Sequence, residues 1–213
     1  MIRIITIERE YGCGAPEIAR SVASELGWKL WDQKLTSEIA RMANCHVSAV
    51  EEREERTDSL YHRLLKSFAR GSYEASMTVD PPHLEMLQSL DADAIVRISR
   101  KVVEQAAAEG NCVIVGRGSQ HFLQAQEDTM RFFLYAPRGD KIERLIAEGA
   151  KEGHAASLID SVDRDRAAFI KNYFNAEWPN RQVYHAMFNT ATGHDTVVRA
   201  ILGFVKIAPA KAA

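Results

Sequence analysis

From Ile2 to Gly27 the chain reads as a strand, a glycine turn and a helix in direct succession, and this opening restricts the fold more than any other feature. Ile2–Ile7 is a short β-branched run, expected as a buried strand. Gly12 and Gly14 follow, and glycine lets a backbone turn tightly and aim its N–H groups inward. From Pro16 onward Ile18, Ala19, Val22, Ala23 and Leu26 recur at helical spacing until Gly27 stops the helix. A helix that starts directly after such a turn points its positive end at whatever the turn encloses, which suits a phosphate.

The alternation continues along the chain. Trp28–Trp31 is expected to be extended and leads to Asp32 and a helix over 36–43. Ser48 and Glu51 read as a capping box opening a charged helix. The segment 57–90 carries some helical spacing, then a breaker-rich stretch ending in Pro81-Pro82, and reads as an insertion. Asp91–Glu109 is predicted helical, Cys112–Val115 a strand ending in Gly116-Arg117-Gly118, and Arg131–Tyr135 a strand stopped by Pro137. Helices are expected over Lys141–Glu148, Ala155–Phe174 and Asp195–Ile207, with a strand at Tyr184–Phe188 and a frayed tail over 208–213. Alternating strands and helices predict an α/β fold, a parallel sheet with helices on both faces, formed as a single domain over 1–207.

Composition removes several function classes. Lys and Arg number 27 against 29 Asp and Glu, a net charge of -2, so there is no basic field to grip a nucleic acid polymer. A small anionic ligand needs only local positive charge. The three cysteines, Cys13, Cys45 and Cys112, show no CxxC spacing, so neither a disulfide framework nor a zinc site is expected. The N-terminal MIRIITIERE is too short an apolar run for a signal peptide, and no run approaches the roughly 20 residues that span a bilayer. A reduced, soluble, cytoplasmic protein without a membrane partner is the expectation.

The phosphate turn departs from the strict pattern GxxxxGK[ST]. Laid on Gly14, that pattern puts Arg9 at its first glycine, Ala15 at its lysine and Pro16 at its hydroxyl residue. Read structurally, Pro16 is a good first-turn residue and Glu17 complements the helix dipole, although its charge opposes a phosphate.

Several segments, in order, resemble the cytidylate kinase-like branch of the nucleoside monophosphate kinases. REYGCGAPEIA (Arg9 to Ala19) resembles a family turn that typically reads REFGSGGREIA. GWKLWDQKLTSEIA resembles the strand that carries an Asp before a short helix, and VIVGRGS (113–119) the strand and its GR loop. MRFFLYAP with KIERL, DRDRAAFIKNYF, and Phe188-Asn189-Thr190 resemble the next strand and helix, the D-x-x-R helix and the late strand's Asn-Thr. The resemblance implies a P-loop NTPase-like kinase fold with the insertion near 57–90 and a helical lid near 144–175. It implies transfer of the γ-phosphoryl group of ATP, with Mg2+, to a nucleotide such as CMP or dCMP. Arg9, Gly12, Cys13, Gly14, Ala15, Pro16 and Glu17 would then wrap the donor phosphates. Arg117 would hold the acceptor phosphate, Arg144, Arg164 and Arg166 would come from the lid, Asp163 would orient Arg166, and Asp32 would sit near the acceptor. Outside the resemblance, Arg117 also reads as a surface ion pair, the lid arginines as a solvated helix face and Asp32 as a helix cap.

Departures from the family leave other readings open. Ala15 removes the lysine of true cytidylate kinases, Pro16 stands where relatives often carry arginine, and Gly118 stands where an Asp follows GR. No magnesium ligand is implied. Arg9 and Lys34 are the nearest substitute cations in sequence, Arg9 by folding back over the phosphates. A catalytically silent nucleotide-binding module and a scaffold using the charged 51–70 helix remain alternatives. The 57–90 insertion is where contact with a second copy of the chain is expected.

Overall fold

The computed structural model of the protein describes residues 1–32, 34–35, 38–39, 42 and 92–207. The expected helix over 36–43, the capping box at Ser48, the 57–90 insertion and the 208–213 tail fall wholly or mostly outside the described residues.

Five strands form one parallel sheet in the order β2-β3-β1-β4-β5. They are β1 (Ile4–Arg9), β2 (Lys29–Trp31), β3 (Cys112–Val115), β4 (Thr129–Tyr135) and β5 (Ala186–Asn189). The helices are α1 (Ala15–Leu26), α2 (Ala92–Glu109), the short α3 (Ser119–Phe122), α4 (Arg138–Ala147), α5 (Glu152–Phe174) and α6 (His194–Ile207). Strand β1 lies at the centre, so the turn that follows it opens at the middle of the sheet's carboxyl edge, where open α/β sheets bind ligands.

The pleat sorts the core into two layers. Ile5, Ile7, Val113, Val115, Phe132 and Leu134 face α1 and α6. Ile4, Cys112 and Ile114 face the other way, onto Ile98, Val102 and Ala106 of α2. Helix α1 is bracketed by two glycines in the left-handed region, Gly14 at φ +74° and Gly27 at φ +64°, and buries Ile18, Ala19, Val22 and Ala23. Helices α4 and α5 build a third cluster, in which Leu145, Ala155, Ile159 and Val162 close around Tyr11. Among the described residues no helix is long and apolar enough to cross a membrane.

Element ends differ from the sequence expectation at several places. Strand β1 runs on to Arg9 because Glu8 and Arg9 pair with Phe133 and Leu134, and both are buried although polar. Helix α4 starts at Arg138 and α5 at Glu152, each about a turn before its first buried residue, since a polar first turn carries no apolar signal. Strand β5 begins at Ala186, whereas Tyr184 lies just before it and packs its ring 5.1 Å from Phe133.

Candidate active site

The turn after β1 carries Gly12 at φ +75° and Gly14 at φ +74°. Gly14 is the cap residue of α1 and offers no side chain to the N–H groups of the first helical turn. Those groups and the helix dipole favour an anion. Ala15 is fully buried in the core and Pro16 is buried beside it. Cys13 is fully buried too, its Sγ 3.6 Å from the Leu134 carbonyl oxygen.

Helices α4 and α5 hold this turn residue by residue. Arg166 donates from Nη1 to the Arg9 carbonyl oxygen at 3.0 Å. Lys141 Nζ donates to Glu10 Oε2 at 2.8 Å and lies 3.5 Å from Asp163 Oδ2. The Tyr11 N–H donates to Asp163 Oδ1 at 2.8 Å. Arg144 donates from Nη1 to the Gly12 carbonyl oxygen at 2.9 Å, and its guanidinium would stand 3.0 Å from a Cβ placed on Gly14. Asp163 also lies 3.4 Å from Arg166 Nη1. Burial pushes the Asp163 carboxyl above its ordinary range, with Arg166, the Tyr11 N–H and Lys141 drawing it the other way.

A second group forms where β1 and β3 end. Glu8 is buried, accepts from the Arg9 N–H at 3.0 Å and from Gln120 Nε2 at 3.1 Å, and lies 3.7 Å from the Arg9 guanidinium. The Arg9 side chain runs toward the loop after β3, where a Cβ on Gly116, itself at φ +68°, would meet Nη1 at 2.2 Å and displace the guanidinium. Arg117 stands at φ +62° in that loop. Burial pushes its guanidinium down to about 9, helped by the charges of Arg9 and Arg166 and opposed by Asp32 and Glu8. It is therefore charged at neutral pH, in a place where burial disfavours its cation. Arg166 Nη2 is buried with no hydrogen-bond partner among the described residues. Three guanidinium groups thus gather at the ends of two central strands, balanced locally by Glu8 and Asp32.

Next to Gly14 lies a cavity of about 310 Å³, lined by Cys13, Glu17, Ile18, Arg144, Glu148, Thr190 and His194. Partial burial and the charge of Glu17 push Glu148 above its ordinary range, against the pull of Arg144. His194 Nε2 lies 3.0 Å from Ser21 Oγ.

The structure brings together Arg9, Gly12, Gly14, Arg144, Asp163 and Arg166 around the turn, and Arg117 with Asp32 beside it. Arg164 stands exposed on α5 and its charge is felt by Asp160, which pairs with Arg138. Lys34 sits 5.0 Å above the Trp31 ring. Sequence reasoning missed Lys141, Gln120, Glu148 and His194. Lys141 was available as a lysine in the first turn after Pro137, but nothing in its local pattern marks burial.

Gly118, at φ +70°, has a physical reason to lack a side chain. A Cβ there would meet two Phe174 ring carbons at 2.7 and 2.8 Å. The space that a carboxylate would need is taken by the end of α5.

The profile of the cytidylate kinase-like family matches residues 4–192. None of the curated proteins matches the sequence. Among solved structures, an uncharacterized protein from Eubacterium ventriosum superposes with a TM-score of 0.66 at 18% identity, over 97% of this chain and 99% of that one. A shikimate kinase from Bacteroides thetaiotaomicron gives 0.54 at 13% identity, over 97% and 100%. A shikimate kinase from Acinetobacter baumannii, in complex with shikimate, gives 0.53 at 14% identity, over 99% and 97%. At these identities the likeness establishes a shared fold, that of the P-loop kinases.

Proposed function

The chain belongs to the cytidylate kinase-like family, and on that footing we propose that it transfers the γ-phosphoryl group of ATP, with Mg2+, to a nucleoside monophosphate such as CMP or dCMP. The observation that carries this reading is the convergence of Arg9, Arg117 and Arg166 beside a glycine turn at the carboxyl ends of β1 and β3. Phosphoryl transfer asks a protein mainly for positioning and for neutralising charge on the moving group. Arginine suits both tasks, because its planar fork donates in pairs to phosphate oxygens.

The roles divide by location. The Gly12–Gly14 turn and the first turn of α1 hold the donor phosphates, and Arg144 covers them from α4. Arg117 takes the acceptor phosphate, with Asp32 facing the acceptor's body. Arg166 neutralises the transferring group, and Asp163 positions Arg166. Arg9 supplies charge that a lysine at position 15 would otherwise bring, reaching the site from below the Gly116 loop. When bound, magnesium would neutralise charge on the donor's phosphates. Among the described residues no three His, Cys, Asp or Glu side chains gather as a metal cage.

One observation favours a second reading, a nucleotide-binding protein without turnover. Ala15 brings no lysine to the turn, and a side chain at Gly118, where true cytidylate kinases carry a carboxylate, would meet the Phe174 ring. The assay is ADP release with Mg-ATP against a panel of nucleoside monophosphates. Acceptor-dependent turnover is expected, falling about 10²–10³-fold in Arg117→Ala. Folded protein that binds ATP but turns over no acceptor would replace the kinase reading by the silent one.

A further inference from the structure

The loop that presents Arg117 leaves the sheet along a strained path. The ladder between β1 and β3 ends at Ile7 and Val115, and the Gly116 N–H donates to the Ile7 carbonyl oxygen at 2.9 Å. Beyond that point the two chains part. Strand β1 runs on against β4 through Glu8 and Arg9, while the loop after β3 takes Gly116, Arg117 and Gly118 through φ +68°, +62° and +70°. An L-residue such as Arg117 is strained in that region, and such strain persists only where the surroundings hold it. Phe174 backs the loop at Gly118. Toward the phosphate turn the hold is a pair of side chains. Gln120, 1% exposed on α3, donates from Nε2 to Glu8 Oε2 at 3.1 Å. Glu8, 4% exposed, accepts the Arg9 N–H on its other oxygen at 3.0 Å. One carboxylate thus ties the backbone that enters the turn to the helix that follows Arg117. A hydrogen bond to a charged group in a buried place is among the stronger ones.

We propose that Glu8 and Gln120 are positioning residues, whose bond fixes where Arg117 stands relative to the phosphate turn and so sets the line between acceptor and donor phosphates. The inference rests on the nucleotide-kinase reading above and adds to it two residues outside its substrate contacts. In-line transfer needs the attacking and leaving oxygens aligned, and a misplacement of about 1 Å costs up to about 10²-fold in rate. The two phosphate-handling loops diverge where the ladder stops, and the Glu8–Gln120 bond spans that divergence. The charge of Glu8 also favours the Arg117 cation, against the burial and the neighbouring Arg9 that oppose it.

The test compares Gln120→Met, Gln120→Glu and the reciprocal pair Glu8→Gln with Gln120→Glu. Gln120→Met removes the bond with a side chain of similar length. Gln120→Glu sets two carboxylates face to face. The reciprocal pair rebuilds the bond with donor and acceptor exchanged, and the new amide oxygen still accepts the Arg9 N–H. Each protein is measured for turnover of Mg-ATP with the nucleoside monophosphate that wild type uses fastest, for calorimetric ATP affinity, and for amide hydrogen exchange at Gly116 and Ser119. Gln120→Met should lower kcat about 10–100-fold, hold ATP affinity within about twofold and speed exchange about tenfold. Gln120→Glu alone should fall further, and the reciprocal pair should recover at least about tenfold over it. Unchanged kcat and exchange in Gln120→Met, or a reciprocal pair no better than Gln120→Glu, would overturn the proposal. Should Gln120→Met fail to fold, the comparison of Gln120→Glu with the reciprocal pair decides. Exchange is measured without nucleotide. Wild type that turns over no acceptor would therefore bring down the kinase reading, while the exchange of the variants still judges the bond between the loops.

Discussion

Replacing Gly118 with alanine tests whether the loop that presents Arg117 is built on Phe174. The new Cβ would stand 2.7 and 2.8 Å from two Phe174 ring carbons and 3.3 Å from Phe169. Phe174 has little freedom to retreat, because its ring stacks on His121 at 4.5 Å and meets Phe122 edge-on at 5.1 Å. Two costs add. Holding an L-residue at φ +70° costs about 1–2 kcal/mol, part of which is offset by the stiffer unfolded chain. Forcing a methyl into a filled space costs about 1–3 kcal/mol more. The expected loss is about 2–4 kcal/mol, or roughly 4–16 °C in Tm for a chain of this size. Gly27→Ala is the control. It has a similar φ of +64° with nothing within 4 Å of the added Cβ, so it should lose only about 1 kcal/mol. Urea unfolding of both variants, alone and in a Phe174→Leu background, separates the costs. If Gly118→Ala loses no more than Gly27→Ala, Phe174 does not shape this loop and the argument for its rigidity fails.

Two further outcomes follow from buried charge. Lys141→Met keeps the stem but leaves Glu10 and Asp163 facing each other without their shared cation, and should cost about 3 kcal/mol in urea unfolding; a change under about 0.5 kcal/mol would mean that these charges are already solvated. Burial pushes His121 below its ordinary 6.5, against the charge of Glu8, so the unfolded chain takes that proton more readily and stability should fall as pH drops below 6.5. His121→Phe keeps a ring on Phe174 and should remove up to about 1.4 kcal/mol per pH unit from that slope, leaving the share of His185, which is also pushed down; an unaltered slope would contradict the assignment.

The strands and helices were legible wherever apolar spacing marked them. Ile18 to Leu26, Ile98 to Ala106 and Cys112–Val115 each declare their period, and each lies in the expected element. The first turns of α4 and α5 were not, because polar residues there satisfy the helix without contributing to a buried face. The site was legible as residue types and partly as places. Gly12, Gly14 and Arg117 stand in loops that local sequence already announces. The cavity beside Gly14 was not, because Glu17 of α1, Glu148 at the end of α4 and the pair Thr190 and His194 after β5 lie far apart in sequence, and only the folded chain brings them to one wall. Lys141 was hidden for the opposite reason, since an isolated lysine on a charged helix reads as solvated until its partners are known.

Four consecutive residues, Arg9 to Gly12, at the end of β1 and in the turn after it are each held by a different side chain of α4 or α5, from partners 131 to 157 positions further along the chain. Three of these four contacts engage the backbone of the turn and ignore what its side chains are. Such a turn takes its path from outside, as a rope takes its course from the pegs it passes over. Its own letters are then free to vary at positions where a self-sufficient loop would need fixed ones. A search that scores the turn by itself will pass over chains of this kind, whereas the spacing of Lys141, Arg144, Asp163 and Arg166 offers a signature for the same shape written elsewhere in the sequence.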